Sequence, residues 1–290
     1  MRSMMTAAAL VLLATPAMAV TTKIYVSGQG GTPVDQTLAG PQTVTDVFGG
    51  SSYTASASAG VLKAGAGSTA PAGVGACCTY QPEGIGVTTS FTDVLTMNTP
   101  GISSGSFTAS LLIDGMLTAD SAGLPSSGVF SFAAVEILVR VASLPDPVFS
   151  FSYTRSNYNG FIAGSGSLNG MRYSGPLIGA FDFSIPFDSL VGQEVTVQLF
   201  CGTNTATLQA GDSASAACDY SHTLVWGGVS QVLDGMGAPV TNYSLTGATG
   251  ANYAQSFAGA VPEPASWAMM LAGFGLAGVM LRRQRRALPA

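Results

Sequence analysis

Four cysteines and one histidine are the residues of this chain best equipped for covalent or metal chemistry. Cys77 and Cys78 are adjacent, whereas Cys201 and Cys218 stand apart. Four cysteines allow three pairings. Side-chain phase favours one of them. Over residues 195–201 the odd positions are apolar, which puts Cys201 on one face with Val195, Val197 and Leu199. Over residues 214–226 the even positions carry Ala214, Ala216, Cys218, Tyr220, Leu224 and Trp226. Two inward cysteines flanking a polar loop at 202–213 predict a cross-strand disulfide, Cys201–Cys218. Closing a loop of sixteen residues contributes roughly 3 kcal/mol in the chain-entropy description. Cys77 and Cys78 are then a vicinal bond or free thiols.

His222 follows Cys218 and Asp219 closely, so general-base catalysis or metal ligation comes into view. Its phase is that of Tyr220 and Leu224, which suits a packed, hydrogen-bonded core histidine. A zinc site needs three or four ligands. With Cys218 in a disulfide, no second histidine and no CxxC or HxxxH spacing, a metal is not expected. No serine stands at a strand-to-helix nucleophile elbow, so a Ser-His-Asp triad is not expected either. A glycosidase pair could be drawn from Glu83, Glu136, Glu194 and the aspartates of the body, but their spacing selects no two of them. No D-x-D-x-D-G calcium loop occurs. Gly28-Gln29-Gly30-Gly31 lacks the following helix of a phosphate loop and reads as a turn. Tyr153, Tyr158, Phe161 and Tyr173 lie in a polar, Gly-rich stretch, either as exposed rings able to stack on sugars or as the rim of a core.

Composition limits the partners. Charged residues are 9% of the 290, against roughly 25% in ordinary soluble domains. Arg2 lies at the front, and Arg282, Arg283, Arg285 and Arg286 at the back. In the body at 20–260 five basic residues face fourteen acids, a net charge near −9 with no basic stripe, so nucleic acid is not an expected partner. Fourteen Phe and nine Tyr supply a core that a disordered chain would lack.

The elements that must position these residues read as strands. From 20 to 260 no stretch has a convincing helical period, and short alternating runs are separated by Gly, Pro, Asn and Asp. Strands are predicted at 23–26, 53–62, 85–95, 106–113, 129–141, 149–154, 180–185, 195–202, 214–226, 229–233 and 241–246. Val129, Ala133, Val135, Ile137, Val139 and Val141 make one apolar face. Glu136 and Arg140 opposite it also fit a helix turn, but Val and Ile favour a strand. Residues 64–75 read as a flexible Gly/Ala loop, and Asp114-Gly115 as a tight turn. The expected body is all-β, an antiparallel β-sandwich or jelly-roll-like domain at 20–260, with no fixed repeat.

The ends carry addresses. Residues 1–19 have the form of a secretory signal helix: Arg2, an apolar run at 7–14, Pro16, and Ala17-Met18-Ala19 placing cleavage between Ala19 and Val20. Export implies an oxidising compartment for the cysteines. Near the other end, residues 265–281 form an uncharged run that as a transmembrane helix rises about 25 Å, short for a span. Trp267 suits one interface, and Arg282, Arg283, Arg285 and Arg286 hold the other end in the cytoplasm.

Pro262-Glu263-Pro264, the following Ala265 to Leu271 with Trp267, then Gly273-Phe274-Gly275 and the arginines resemble the PEP-CTERM sorting tail. The resemblance covers residues 261–290. It implies a precursor transiently anchored in the inner membrane of a Gram-negative bacterium and recognised by an exosortase, a membrane protease of transpeptidase type. Cleavage is expected near Pro262-Glu263-Pro264, with delivery to the cell surface or extracellular matrix. It further implies an association with exopolysaccharide and biofilm. Two stretches, 219–228 and 242–253, loosely resemble ectodomains that precede such tails. The expected function is that of an exported surface or matrix protein without cofactor or catalysis. A carbohydrate-binding module for exopolysaccharide, or a secreted hydrolase, are the alternatives.

Overall fold

A computed structural model describes residues 20–28, 33–70, 81–123, 128–189, 191–209 and 211–259. The expected signal and transmembrane helices, residues 29–31 of the expected Gly-rich turn, Cys77 and Cys78 lie outside them. Among the described residues no helix is long and apolar enough to cross a membrane.

The chain runs through β1 (Thr21–Gly28), β2 (Val34–Ala39), β3 (Gln42–Phe48), β4 (Ser51–Ser58) and β5 (Val61–Ala70). It continues with β6 (Gln81–Asn98), β7 (Ser104–Ala122), β8 (Phe130–Val141), β9 (Phe149–Tyr158) and β10 (Phe161–Leu168). It ends with β11 (Met171–Tyr173), β12 (Gly179–Asp188), β13 (Gln193–Thr207), β14 (Ser213–Asp234), β15 (Ser244–Gly247) and a 3-10 turn, Phe257–Gly259. The larger sheet has the order β11-β10-β9-β8-β13-β6-β1-β2, with β15 added beside β6. The smaller has the order β12-β7-β14-β5-β4-β3. Every ladder is antiparallel.

The two sheets face each other across one apolar core. Period-two alternation builds it: Ala133, Val135, Ile137, Val139 and Val141 are all buried in it, as are Ala216, Cys218, Tyr220, Leu224 and Trp226, while Val129 and Ala214 join Ala70 in a small satellite cluster. Val20, the residue expected to follow signal cleavage, is buried too, and its carbonyl accepts from Gly40 N at 2.9 Å.

Several sequence expectations are corrected. Residues 64–70 of the expected loop are instead part of β5, paired on both sides by β4 and β14. Ala64, Ala66, Ser68 and Ala70 point inward, so pairing and burial override the weak strand propensity of Ala and Gly. The strand expected at 53–62 is two strands, divided by a turn at Ala59-Gly60 where Gly60 has φ +70°. Asp114-Gly115 is not a turn, since β7 runs straight through it. Gly115 faces inward, and a Cβ there would lie 2.3 Å from the Tyr220 ring, so this glycine makes room for an aromatic. Likewise β13 continues to Thr207, so residues 202–207 are strand and not loop. Strands β2, β3, β10 and β11 were not expected. Two of the turns that join them are Asn159-Gly160 and Asn169-Gly170, all four residues at positive φ, the two-residue hairpin geometry that Asn-Gly favours.

The last described segment, 244–259, laces the sheets together. β15 adds to β6 in the larger sheet. Tyr253 then enters the core, where its carbonyl accepts from Trp226 Nε1 at 2.8 Å and its ring meets Trp226 edge-on with centroids 5.5 Å apart. Val229 N donates to Ala254 O, and the Phe257 ring lies over Gly60 of the smaller sheet.

Candidate functional site on the outer face of the larger sheet

Cys201 in β13 and Cys218 in β14 are bonded, with Cα atoms 5.7 Å apart. Those strands belong to different sheets, so the bond pins the sheets together across the core instead of linking neighbours in one ladder. Both residues are buried.

The buried carboxylates serve the fold. Asp93 Oδ1 accepts from Val94 N at 2.8 Å and Ala248 N at 3.0 Å. Asp212 Oδ2 accepts from Gln209 N at 2.9 Å. Each satisfies backbone donors at a chain reversal, work unlike that of a proton-shuttling pair. Burial pushes the Tyr253 hydroxyl well above its usual range, and the neighbouring Asp93 carboxylate adds to the shift. Tyr220 is raised for the same first reason, with Asp114 contributing. Among the described residues no three His, Cys, Asp or Glu side chains cluster as metal ligands do. The His222 side chain lies outside the described residues. Ser221 Oγ donates to Asp219 Oδ1 at 2.6 Å.

The structure divides the four aromatics singled out in sequence. Tyr173 packs inward: its ring meets Phe151 with centroids 5.5 Å apart, and its hydroxyl donates to Pro176 O at 2.7 Å. Tyr153 packs against the core. Tyr158 and Phe161 instead face each other across the β9–β10 hairpin and stay exposed.

Register carries this pair into a wider outer surface. Phe130 of β8 pairs Tyr158, so Phe161, Tyr158 and Phe130 form one row across three strands. Phe132 stands one step along β8 on the same face. Its partner on β13 is Asn204, and further along the same face of β13 come Gly202 and Phe200. Between Phe132 and Phe200 lies a trough of about 490 Å³, with Gly84 and Gly86 of β6, Gly202 and Asn204 of β13 and Ser27 of β1. The far end of the Phe200 ring covers Gly86 and Gly202, whose Cβ atoms would come 3.1 and 2.6 Å from it. Asn204 Oδ1 is shielded from solvent at the trough wall and has no hydrogen-bond partner among the described residues. Beyond Phe200 the depression resumes over Thr88 and Ser90, flanked by Tyr25 and by Lys23, which is ion-paired to Asp35 at 3.2 Å. Sequence reading missed Phe132, Phe200 and Asn204. The signal lay in the outward phase of β8 and β13, where large aromatics stand opposite apolar inward faces.

The smaller sheet also has an outer depression, about 410 Å³, lined by Thr45, Thr54, Gly65, Gly67, Asp219 and Ser221. Tyr53 borders it, but that side chain is buried beneath.

The two stretches noted for their loose resemblance come together. Register shifts in β14 at 219–224 and 226–231 mark bulges, and the second receives the 253–256 segment against Gly228. Together they form a structural lock.

The predicted sorting residues Pro262, Glu263, Pro264, Trp267, Arg282, Arg283, Arg285 and Arg286, and Ala19 of the cleavage pair, lie outside the described residues. Comparison with known families speaks to the tail directly: residues 260–286 match the PEP-CTERM protein-sorting motif. No curated protein and no solved structure matches the chain. The described β-rich body is thus followed by a recognised address, and the chain carries a PEP-CTERM protein-sorting motif, which implies export and processing by an exosortase.

Proposed function

We propose that this protein is a surface or extracellular-matrix component of a Gram-negative bacterium, associated with exopolysaccharide and biofilm, and without catalysis of its own. The observation that carries the reading is the sorting motif at 260–286, placed directly after a two-sheet body whose last described residue is Gly259. The engagement of Asp93 and Asp212 by backbone donors supports a non-catalytic body. The test is expression with and without an exosortase, comparing wild type with a Pro262→Ala/Glu263→Ala/Pro264→Ala variant. Wild type is expected to leave the membrane fraction only when the enzyme is present, with the variant retained as precursor. Equal release of both chains would refute sorting through this motif.

A second reading is carbohydrate binding by the body. It is favoured by the exposed Tyr158–Phe161 pair and its continuation through Phe130 and Phe132. Rings whose faces reach solvent on a rigid sheet can stack on the apolar faces of sugars without the entropy loss of a mobile loop.

A further inference from the structure

The outer face of the larger sheet combines three features that an ordinary solvated strand face lacks. Its strand centre is carved down by glycine: Gly84, Gly86 and Gly202 lie side by side on β6 and β13. Two half-buried phenylalanines, Phe132 and Phe200, bound the hollow. An acceptor, Asn204 Oδ1, sits at its wall without a partner among the described residues. A buried acceptor left unpaired carries a desolvation cost, and from its place over Gly84 a turn of the Asn204 side chain would present it to a donor in the trough. Aromatic walls with sparse, fixed polar groups are the composition of a ligand site.

Charge decides what ligand fits. Of the cations on this face, Lys23 is paired with Asp35, and Arg140 and Arg172 stand apart from the trough, in register with Thr196 and Ser167. Glu136, which pairs Phe200 in register, adds a negative charge on the same face. The body as a whole is strongly acidic. A polyanion would meet repulsion here, and single-stranded nucleic acid, which also stacks on aromatics, requires a basic track that this face does not offer. A neutral chain that is rich in hydroxyl donors and has apolar ring faces fits both the walls and the charge.

We propose that the trough between Phe132 and Phe200 is a binding site for a neutral polysaccharide, with the two rings stacking on sugar faces and Asn204 accepting from a hydroxyl. The chain then runs across the strands toward the Tyr158–Phe161 hairpin on one side and over Thr88 toward Tyr25 on the other. This rests on the carbohydrate-binding reading above but moves its centre from the hairpin to the glycine-floored trough.

The experiment is affinity electrophoresis of the full chain in mild detergent, through gels containing glucomannan, hydroxyethyl cellulose or dextran as neutral probes and alginate as the anionic one. At least one neutral gel is expected to retard the protein, and alginate is not. Phe132→Ala and Phe200→Ala should each weaken retardation about tenfold, the loss of one stacking ring. Ser27→Trp fills the trough from its rim, and it should abolish retardation while leaving the thermal midpoint near wild type. This second kind of variant separates blockade from misfolding. Neutral retardation that survives all three substitutions, or that is lost only in Tyr158→Ala or Phe161→Ala, would overturn the trough and leave the broader reading standing. No retardation by any neutral probe would overturn both. Equal retardation by alginate would overturn the neutral assignment.

Discussion

Breaking the Cys201–Cys218 bond offers the most direct test of how the two sheets are held. The residues are 17 apart in sequence, and cross-linking them removes about 10 cal/mol/K of entropy from the unfolded chain, or about 3 kcal/mol at room temperature. The comparison is cleanest between oxidised and reduced protein in a Cys77→Ala/Cys78→Ala background, from Val20 to Gly259, because only this bond then differs. With a urea dependence of roughly 2–3 kcal/mol/M, reduction should lower the unfolding midpoint by about 1–1.5 M. Both cysteines are buried, so reductant alone should leave the bond intact until denaturant opens the core. An unchanged midpoint on reduction would refute the entropic reasoning. A peptide map of the oxidised wild type linking Cys201 to Cys77 or Cys78 would refute the pairing itself.

Other outcomes follow from named contacts. Gly115→Ala should destabilise by about 1–3 kcal/mol in thermal or urea unfolding, because its Cβ would enter the Tyr220 ring. Gly65→Ala should be near neutral, since the closest atom to its Cβ is 3.9 Å away; equal effects from the two would show that the ring contact is not what matters. Tyr220 and Tyr253 hold their protons in the fold to higher pH than in the unfolded chain, so their stabilisation is complete below about pH 10 and declines as pH rises beyond it. Thermal midpoints measured from pH 8 to 11 should fall steeply only in the upper part, and a flat profile would contradict this. In a chain ending at Gly259, Trp226 is the sole tryptophan, and Tyr253→Ala should shift its emission to the red by admitting water beside the ring; an unmoved spectrum would mean that the 244–259 segment does not cover it.

The inward faces were legible because a long strand in a two-layer protein must alternate, and β8 and β14 do so for many residues with Val, Ile, Leu and aromatics. The cysteine pair was legible for the same reason, although phase alone did not show that it joins two sheets. Where small residues pack, the signal fails. β5 is built from Ala and Gly, so neither hydrophobicity nor propensity marks it, and only its two flanking ladders make it a strand. Gly115 looked like a turn because a glycine that admits a ring and one that admits a positive φ are the same letter. The β10–β11 continuation of the meander was missed despite two Asn-Gly pairs, because β10 is Ser- and Gly-rich and its outer side is exposed. The trough escaped for a further reason: it is assembled by register from β1, β6, β8 and β13, strands as much as 177 residues apart in sequence between Ser27 and Asn204.

The lacing of residues 244–259 into both sheets has a mechanical meaning. Gly259 belongs to the folded body, and Pro262 opens the Pro-Glu-Pro triplet, so Ala260 and Val261, joined through three peptide bonds, separate the two. Fully extended they reach about 10 Å, no more than the width of one helix. Whatever grips the triplet must therefore work with the sandwich pressed close alongside, and a pull on the tail is delivered at once to β15, Tyr253 and Phe257. Cargo of this kind travels on a very short leash. Lengthening that leash, by inserting a flexible Gly-Ser spacer after Gly259, would relieve the crowding without touching either the address or the fold.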